Sequence, residues 1–321
     1  MPGPLNGLKV IEFVGLGPAP FACMMLADHG AQVLRIDRPG SSGSLGLPME
    51  LDLPARNRPS IALDLKRPED AVRARALIDE ADVLIEGFRP GVLERLGIVP
   101  SQCLERNPRL VIGRMTGWGQ AGPLSQRAGH DLNYLSVTGV LAAIGVADEP
   151  PIPPLNLVAD YGGGAMMLAF GVLAAVHSAR LTGRGQVVDA AMVDGSALLA
   201  TMFHGLRAGG QWKLERSANL LDGGFPFYRC YRCADGRFVA VAPLEAGFRR
   251  VLLQGLGLAD DPAFSESAVA DQTRWPDQRL RLEKVFLKRR RDEWSADFAE
   301  QDACLTPVLD WGEAPTHPHL A

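Results

Sequence analysis

The alternation of strand and helix in the first forty or so residues constrains the fold more than any other feature. An apolar run, Leu8 to Phe13, leads into the turn GLGPAP. An apolar helical segment, FACMMLADHG, follows and is closed by Gly30, and a second extended run, AQVLRID, ends at Asp37. Strand, helix and strand joined this tightly form a βαβ unit, which places the two strands parallel with a helix across one face. The pattern then continues. After a polar segment from Ser41 to Pro59, strands are predicted at Ile61 to Leu65, Val83 to Phe88 and Leu110 to Met115, with a helix from Pro68 to about Glu80. The fold class this predicts is α/β, a doubly wound parallel sheet.

Beyond the loop TGWGQAGP, His130 to Ile144 reads as helical, DEPPIPPLN as an extended breaker, and Asp160 to Arg180 as a long apolar helix. Asp160 would lie near the start of that helix, where a carboxylate can cap free amides. After GQVVDAAM and a second apolar helix around Asp194 to Leu206, the composition changes. Gly209 to Gly224 is rich in Gly, Asn and Asp and reads as a linker. FPFYRCYRC and RFVAVA, joined by the turn ADG, read as a hairpin, and charged helices run from about Asp271 to Glu300. The expected organisation is a large domain over 1–190, a helix and linker over 191–224, a smaller α+β domain over 225–305, and a last segment over 306–321.

Lys plus Arg is 33 and Asp plus Glu is 37, so the formal charge of −4 argues against nucleic acid or an anionic membrane as partner. Any anionic ligand must be held by a local cluster. No run reaches the roughly 18 consecutive apolar residues of a bilayer span, and Met1 to Gly7 lacks the pattern of a secretory signal. A cytoplasmic chain is expected. The five cysteines, Cys23, Cys103, Cys230, Cys233 and Cys304, are an odd number and read as free thiols. The lone C-x-x-C at Cys230 and Cys233 has no second pair for zinc and opens no helix, so no metal site is expected.

The GLGPAP turn, with Asp37 about twenty residues on, has the outline of a dinucleotide fingerprint. Pro18 and Pro20 stand where that fingerprint needs free amides and a packing glycine, which argues against a nicotinamide cofactor. Arg38, Lys66, Arg89 and Arg95 each follow the carboxyl end of a predicted strand, the rim where open α/β sheets bind ligands, and such a rim suits a nucleotide phosphate. His130 lies at a loop-to-helix junction in AGHDLNY. Asp160 precedes three glycines in NLVADYGGG, which would let a ligand approach closely. Imidazole and carboxylate are readily tuned for acid–base work near neutral pH. Glu245, at the end of a strand run in VAPLEAGF, is a further candidate carboxylate.

The stretches ARNRPSIALDLK, DVLIEGFRPGVLERLG, RMTGWGQAGP, PPLNLVADYGGG and GQVVDAAMVDGS resemble the class III CoA-transferase family over essentially the whole chain. AGHDLNY with NLVADYGGG and the glutamate of VAPLEAGF resembles the branch that racemises 2-methylacyl-CoA thioesters. The resemblance implies an interlocked homodimer, with each active site between the large domain of one subunit and the small domain of the other. Carried over by motif, Arg38, Leu63, Asp64, Leu65, Lys66, Gly87, Phe88, Arg89 and Arg95 would bind the CoA nucleotide. Gly129, His130, Asp131, Leu132, Asn133 and Tyr134 would line the thioester end. His130 and Asp160 would be the acid–base pair, Glu245 would enter from the partner's small domain, and Asn156 would orient the thioester or Asp160.

The implied chemistry is interconversion of (2R)- and (2S)-2-methylacyl-CoA through an enolate, with an acyl-CoA thioester as partner and no cofactor, since CoA is part of the substrate. Met166, Met167, Met192 and Met202 would suit an acyl chain that swings between two positions, although at helical spacing they read first as core. Two alternatives stand beside this reading: CoA transfer between carboxylic acids through an Asp160 acyl anhydride, and acyl-CoA binding without catalysis. Members of the family run on past the equivalent of PTHPHLA into a segment that returns to the large domain, so 306–321 would be the start of that return, shortened here.

Overall fold

Six parallel strands form the sheet of the first unit: β1 (Lys9–Phe13), β2 (Gln32–Asp37), β3 (Ser60–Ala62), β4 (Val83–Glu86), β5 (Val111–Thr116) and β6 (Val187–Ala191). The computed structural model describes residues 3–41 and 46–321. The sheet order is β3-β2-β1-β4-β5-β6. This is the doubly wound order, and the winding reverses between β1 and β4. The helices are α1 (Pro18–Asp28), α2 (Pro68–Asp79), α3 (Val92–Arg95), α4 (Pro100–Arg106), α5 (Asp131–Val137), α6 (Met167–Thr182), α7 (Met192–Leu199) and α8 (Thr201–Ala208).

The period-two pattern of the strands divides the core between two faces. Val10, Val83 and Val111 align across the sheet and pack with Ala22, Cys23 and Leu26 of α1 and Leu168 and Val172 of α6. Ile11, Leu84 and Ile112, one position on, pack with Ala74 and Ile78 of α2 and Leu93 of α3. Both faces are covered, as a parallel sheet requires. The continuous helical run Leu157–Thr182, 26 residues, is long and apolar enough to cross a bilayer by length and composition alone. One side of it is buried through Leu168, Val172, Ala175 and Ala179.

Several elements depart from the sequence reading. The third strand ends at Ala62 rather than Leu65, because Asp64 turns the chain: its carboxylate accepts the Lys66 N–H at 3.1 Å and its carbonyl the Arg67 N–H at 2.8 Å. The helix expected over His130 to Ile144 stops at Val137, and Gly139 at φ 83° reverses the chain before a 3-10 turn at Leu141–Ala143. The long apolar helix starts earlier than expected, as a π-helical segment over Leu157–Met166 that passes into α6. GQVVDAAM supplies an edge strand, β6, paired to β5.

The second unit carries the antiparallel sheet β7 (Arg229–Arg232), β8 (Phe238–Val241) and β9 (Leu305–Pro307) in that order. Around it lie α9 (Ala246–Gly255), α10 (Glu266–Ala270), α11 (Trp275–Phe286) and α12 (Arg291–Asp297). Its core is aromatic: Tyr231 stacks on Phe286 at 5.0 Å, and Phe286 meets Trp294 edge-on at 5.5 Å.

The chain divides at other points than 190 and 225. The first unit is Met1–Leu141 with Pro153–Gly205, and the second is Ala142–Ile152 with Leu206–Ala321. Side-chain hydrogen bonds explain the shift. Arg216 donates to the carbonyls of Ala142 and Val146 at 3.1 Å each, and also to that of Glu149. Asn219 Nδ2 donates to the Lys213 and Glu215 carbonyls, so the expected linker is folded into the second unit. Residues 306–321, expected to begin a return to the large domain, also belong there: β9 pairs with β8, and Glu313 takes two hydrogen bonds from Arg291 at 2.8 Å.

Candidate active site

In open α/β sheets a ligand crevice forms beyond the carboxyl ends of the strands where the winding reverses. Here those ends are Phe13 of β1, leading to Gly17, and Glu86 of β4, leading to Gly87, Phe88 and Arg89. Gly17 caps α1 at φ 73°, a conformation that disfavours any side chain, and Pro18 follows at the first helical position. A Cβ at Gly17 would lie 3.3 Å from Asp160 Oδ2, so the carboxylate abuts the start of α1.

Asp160 lies in the first turn of the π-helical segment. Asn156 Nδ2 donates to its Oδ2 at 3.1 Å. Burial raises the Asp160 carboxyl above the ordinary carboxylate range. Asp131 adds to the rise, while the Asn156 hydrogen bond and His130 oppose it. The capping expected of Asp160 falls to Asp131, whose Oδ2 accepts the N–H groups of Ala159 at 2.9 Å and Asp160 at 2.7 Å. The Asp160 side chain is thereby left for other chemistry.

His130 immediately precedes α5 and is exposed. Its N–H donates to Asn133 Oδ1 at 3.1 Å, and its carbonyl accepts the Asn133 N–H at 2.8 Å, which fixes the entry into the helix. Tyr134 is buried beneath this junction and its hydroxyl donates to the Gly129 carbonyl. A Cβ at Gly117 or Gly129 would lie 2.1 or 2.7 Å from the Tyr134 ring, and Trp118 closes the cluster edge-on at 4.8 Å. Within the segment expected to line the thioester, Leu132 and Asn133 are exposed with His130. The Asp131 and Tyr134 side chains are buried and support it from beneath.

The three glycines after Tyr161 do not open space for a ligand. A Cβ at Gly163 would lie 2.6 Å from the Ser196 amide, and one at Gly164 would lie 2.9 Å from Met192. They admit α7. The close approach to Asp160 comes from Gly17. Met192 is core, whereas Met166 and Met202 are about half exposed, at 49% and 53%.

The basic rim assembles at the same end of the sheet. Arg38 follows β2, Lys66 follows β3, Arg89 follows β4 and Arg95 ends α3; all four are exposed, and none forms an ion pair among the described residues. Leu63 is buried and its N–H donates to the Asp37 carbonyl, Leu65 is half-buried, and the Asp64 N–H is held by Asp70. Gly87 is exposed, and Phe88 packs on Phe13 at 5.8 Å.

A support for this rim was missed by the sequence reading. Buried Glu86 accepts the Phe88 N–H at 2.7 Å and the Arg114 Nε at 2.6 Å, and Arg114 continues to Glu94 of α3 at 2.9 Å. Charged residues inside the otherwise apolar strands VLIE and VIGRMT were the available signal.

Glu245 belongs to the second unit, at the N-terminal end of α9, and is exposed. The Cys304 thiol is pushed up by burial and by the Glu245 carboxylate. All five cysteines are free thiols. Among the described residues no group of three or more His, Cys, Asp or Glu is placed to hold a metal ion.

Three known proteins place the chain among relatives. It is 45% identical over 315 residues to alpha-methylacyl-CoA racemase of Mus musculus and 42% identical over 315 residues to that of Homo sapiens; each match covers 98% of this chain and 80% of the relative. The crystal structure of a CaiB/BaiF family protein from Brucella suis shares the fold, with a TM-score of 0.82 at 24% identity over 100% of this chain and 88% of that one. CoA-transferase family III matches residues 5–321, and the chain belongs to that family.

Proposed function

We propose that this chain is an α-methylacyl-CoA racemase, interconverting the 2R and 2S forms of 2-methylacyl-CoA thioesters. The observation that carries the reading is the Asp160 carboxyl, half-buried and shifted up, within electrostatic reach of an exposed His130 beside the ligand crevice. A base must be strong enough to take an α-proton and a conjugate acid able to return it, and a carboxyl raised toward neutrality serves both roles better than a solvated one.

The thioester carbonyl withdraws electrons from its α-carbon, so removal of the α-proton leaves an enolate. Inversion requires that the proton leave from one face and arrive at the other. In the proposed mechanism His130 serves one face and Asp160 the opposite face, each as base for one enantiomer and acid for the other. Asn156 holds Asp160 Oδ2 and thus the direction of its free oxygen. The His130 carbonyl takes the Asn133 and Tyr134 amides, which leaves the first two amides of α5, those of Asp131 and Leu132, as the donors for the enolate oxygen. The unpaired rim cations Arg38, Lys66, Arg89 and Arg95 suit the phosphates of CoA. A homodimer is part of the proposal, with Glu245 of a second copy as an auxiliary carboxylate. The steps ask for no metal or redox group.

Family membership also favours a second reading, CoA transfer, in which Asp160 attacks the thioester and becomes an acyl anhydride. One experiment separates them. The protein is incubated with a single enantiomer of a 2-methylacyl-CoA in deuterated water, with and without a free carboxylic acid. The racemase reading expects deuterium at the α-carbon and loss of optical purity in both arms. CoA on the added acid without α-exchange would replace it with the transferase reading.

A further inference from the structure

The proton-transfer pair sits on two separate elements, His130 before α5 and Asp160 in the π-helical segment, and the reaction proposed above requires their separation to be fixed. We propose that Asp131 is the positioning residue of this pair, tying the backbone of Asp160 to the residue that follows His130. The inference rests on the racemase reading and adds a role to it.

Asp131 is 5% exposed, and one oxygen, Oδ2, accepts both the Ala159 N–H at 2.9 Å and the Asp160 N–H at 2.7 Å. Both are charge-assisted bonds to amides at the start of a helical segment, which have no partner within it. The link is short. At one end it begins one residue after His130, and at the other it grips the amide of Asp160 itself. A hydrogen bond from the Tyr134 hydroxyl to the Gly129 carbonyl pins the other side of His130, so its main chain is held on both flanks. The second oxygen of Asp131, Oδ1, is buried with no hydrogen-bond partner among the described residues. Leaving it so is costly. An asparagine side chain could offer the same single acceptor, which makes Asp131→Asn the informative substitution.

The test compares Asp131→Ala, which removes the link, with Asp131→Asn, which keeps an acceptor at the same reach. Three quantities are read: α-proton exchange of a 2R and a 2S 2-methylacyl-CoA in deuterated water, binding of CoA, and amide deuterium uptake of the peptide spanning 157–166. For Asp131→Ala the expected result is faster uptake in that peptide, a fall in kcat of about 10- to 100-fold with both enantiomers, and KM and CoA affinity within about twofold. Asp131→Asn is expected to restore amide protection and to recover kcat to within about threefold of the unsubstituted protein.

If Asp131→Ala does not fold, Asp131→Glu, which keeps the charge but lengthens the link by a methylene, takes its place with the same expected loss. Two results overturn the link alone: an Ala or Glu variant with freed amides and undiminished kcat, or an Asn variant with protected amides and a kcat as low as that of Ala. Absence of α-exchange in the unsubstituted protein overturns the racemase reading itself, and is thereby distinguished from failure of the link.

Discussion

The two units treat ionised side chains in opposite ways, and the contrast shows what makes a carboxylate reactive. In the first unit Glu12 and Glu86 are fully buried against Arg58 and Arg114, and burial pushes both carboxyls up even though their arginines pull the other way. In the second unit Glu313, more exposed, is held down at about 2, first by its hydrogen bonds from Arg291, then by the Asp310 N–H and by the nearby charge of Arg237. Asp160 follows neither pattern. It is half-buried, no arginine or lysine pairs with it among the described residues, and its hydrogen-bonding side-chain partner is the neutral Asn156. Burial without a guanidinium leaves the Asp160 carboxyl raised above the ordinary carboxylate range, and so a stronger base than a solvated aspartate.

The largest expected effect tests the pair directly. His130→Ala should lower epimerisation by about 10²- to 10⁴-fold, because one face of the enolate loses its proton carrier. Calorimetry of CoA binding should show an affinity close to that of the unsubstituted protein, and unchanged turnover would sink the assignment. Next comes the buried support of the rim. Arg114→Ala leaves Glu86 buried without its cation and should cost about 3–5 kcal/mol in urea unfolding; a loss below 1 kcal/mol would mean that water reaches Glu86 and replaces the arginine.

Ionised Asp160 should cost the fold stability. Its folded pKa is raised, so the ionised form that prevails as pH rises through that value destabilises the fold, and below the unfolded value the cost is absent. Asp160→Asn should therefore raise Tm slightly at neutral pH, with the gain vanishing in acid, while lowering epimerisation no further than His130→Ala does. The same shift places the acid limb of the kcat/KM profile, in the direction for which Asp160 is the base, above the ordinary aspartate value of 3.8. A limb at or below that value would remove the basis for Asp160 as acid and base.

The smallest effect belongs to the second unit. Glu313 is lowered, so its contribution is present above its unfolded pKa and is lost as pH falls toward about 2. Glu313→Gln should lower Tm slightly at neutral pH, with the difference from the unsubstituted protein shrinking as salt is raised or the pH approaches that value. A difference that persists in strong acid would show that packing, rather than charge, holds the last segment.

Much of the first unit was legible from residue order. Short apolar runs separated by helical ones can be satisfied only by parallel strands with crossovers, and Arg38, Lys66 and Arg89 follow because they come after the ends of those runs, whereas Arg95 ends α3. The AGHDLNY and NLVADYGGG motifs drew attention to His130 and Asp160 as residue types suited to proton transfer. Their surroundings were not legible. Nothing in NLVADYGGG distinguishes glycines that admit a ligand from glycines that admit a helix, because the distinction depends on which element packs there; Gly163 and Gly164 turn out to face α7. The linker reading of Gly209 to Gly224 failed for a related reason. Gly, Asn and Asp favour turns, but here Arg216 and Asn219 hydrogen bonds tie those turns into the second unit.

By itself the sequence determined the alternating architecture, the end of the sheet where ligands bind and the residue types available there, because these depend on periodicity and on position relative to strand ends. Only the tertiary structure decided which aspartate caps and which is free. Asp131 and Asp160 are alike as residues and both lie at helix starts. Their roles part because one carboxylate is buried against the amides of the other's own segment, a relation between chain stretches 29 residues apart that local sequence does not encode.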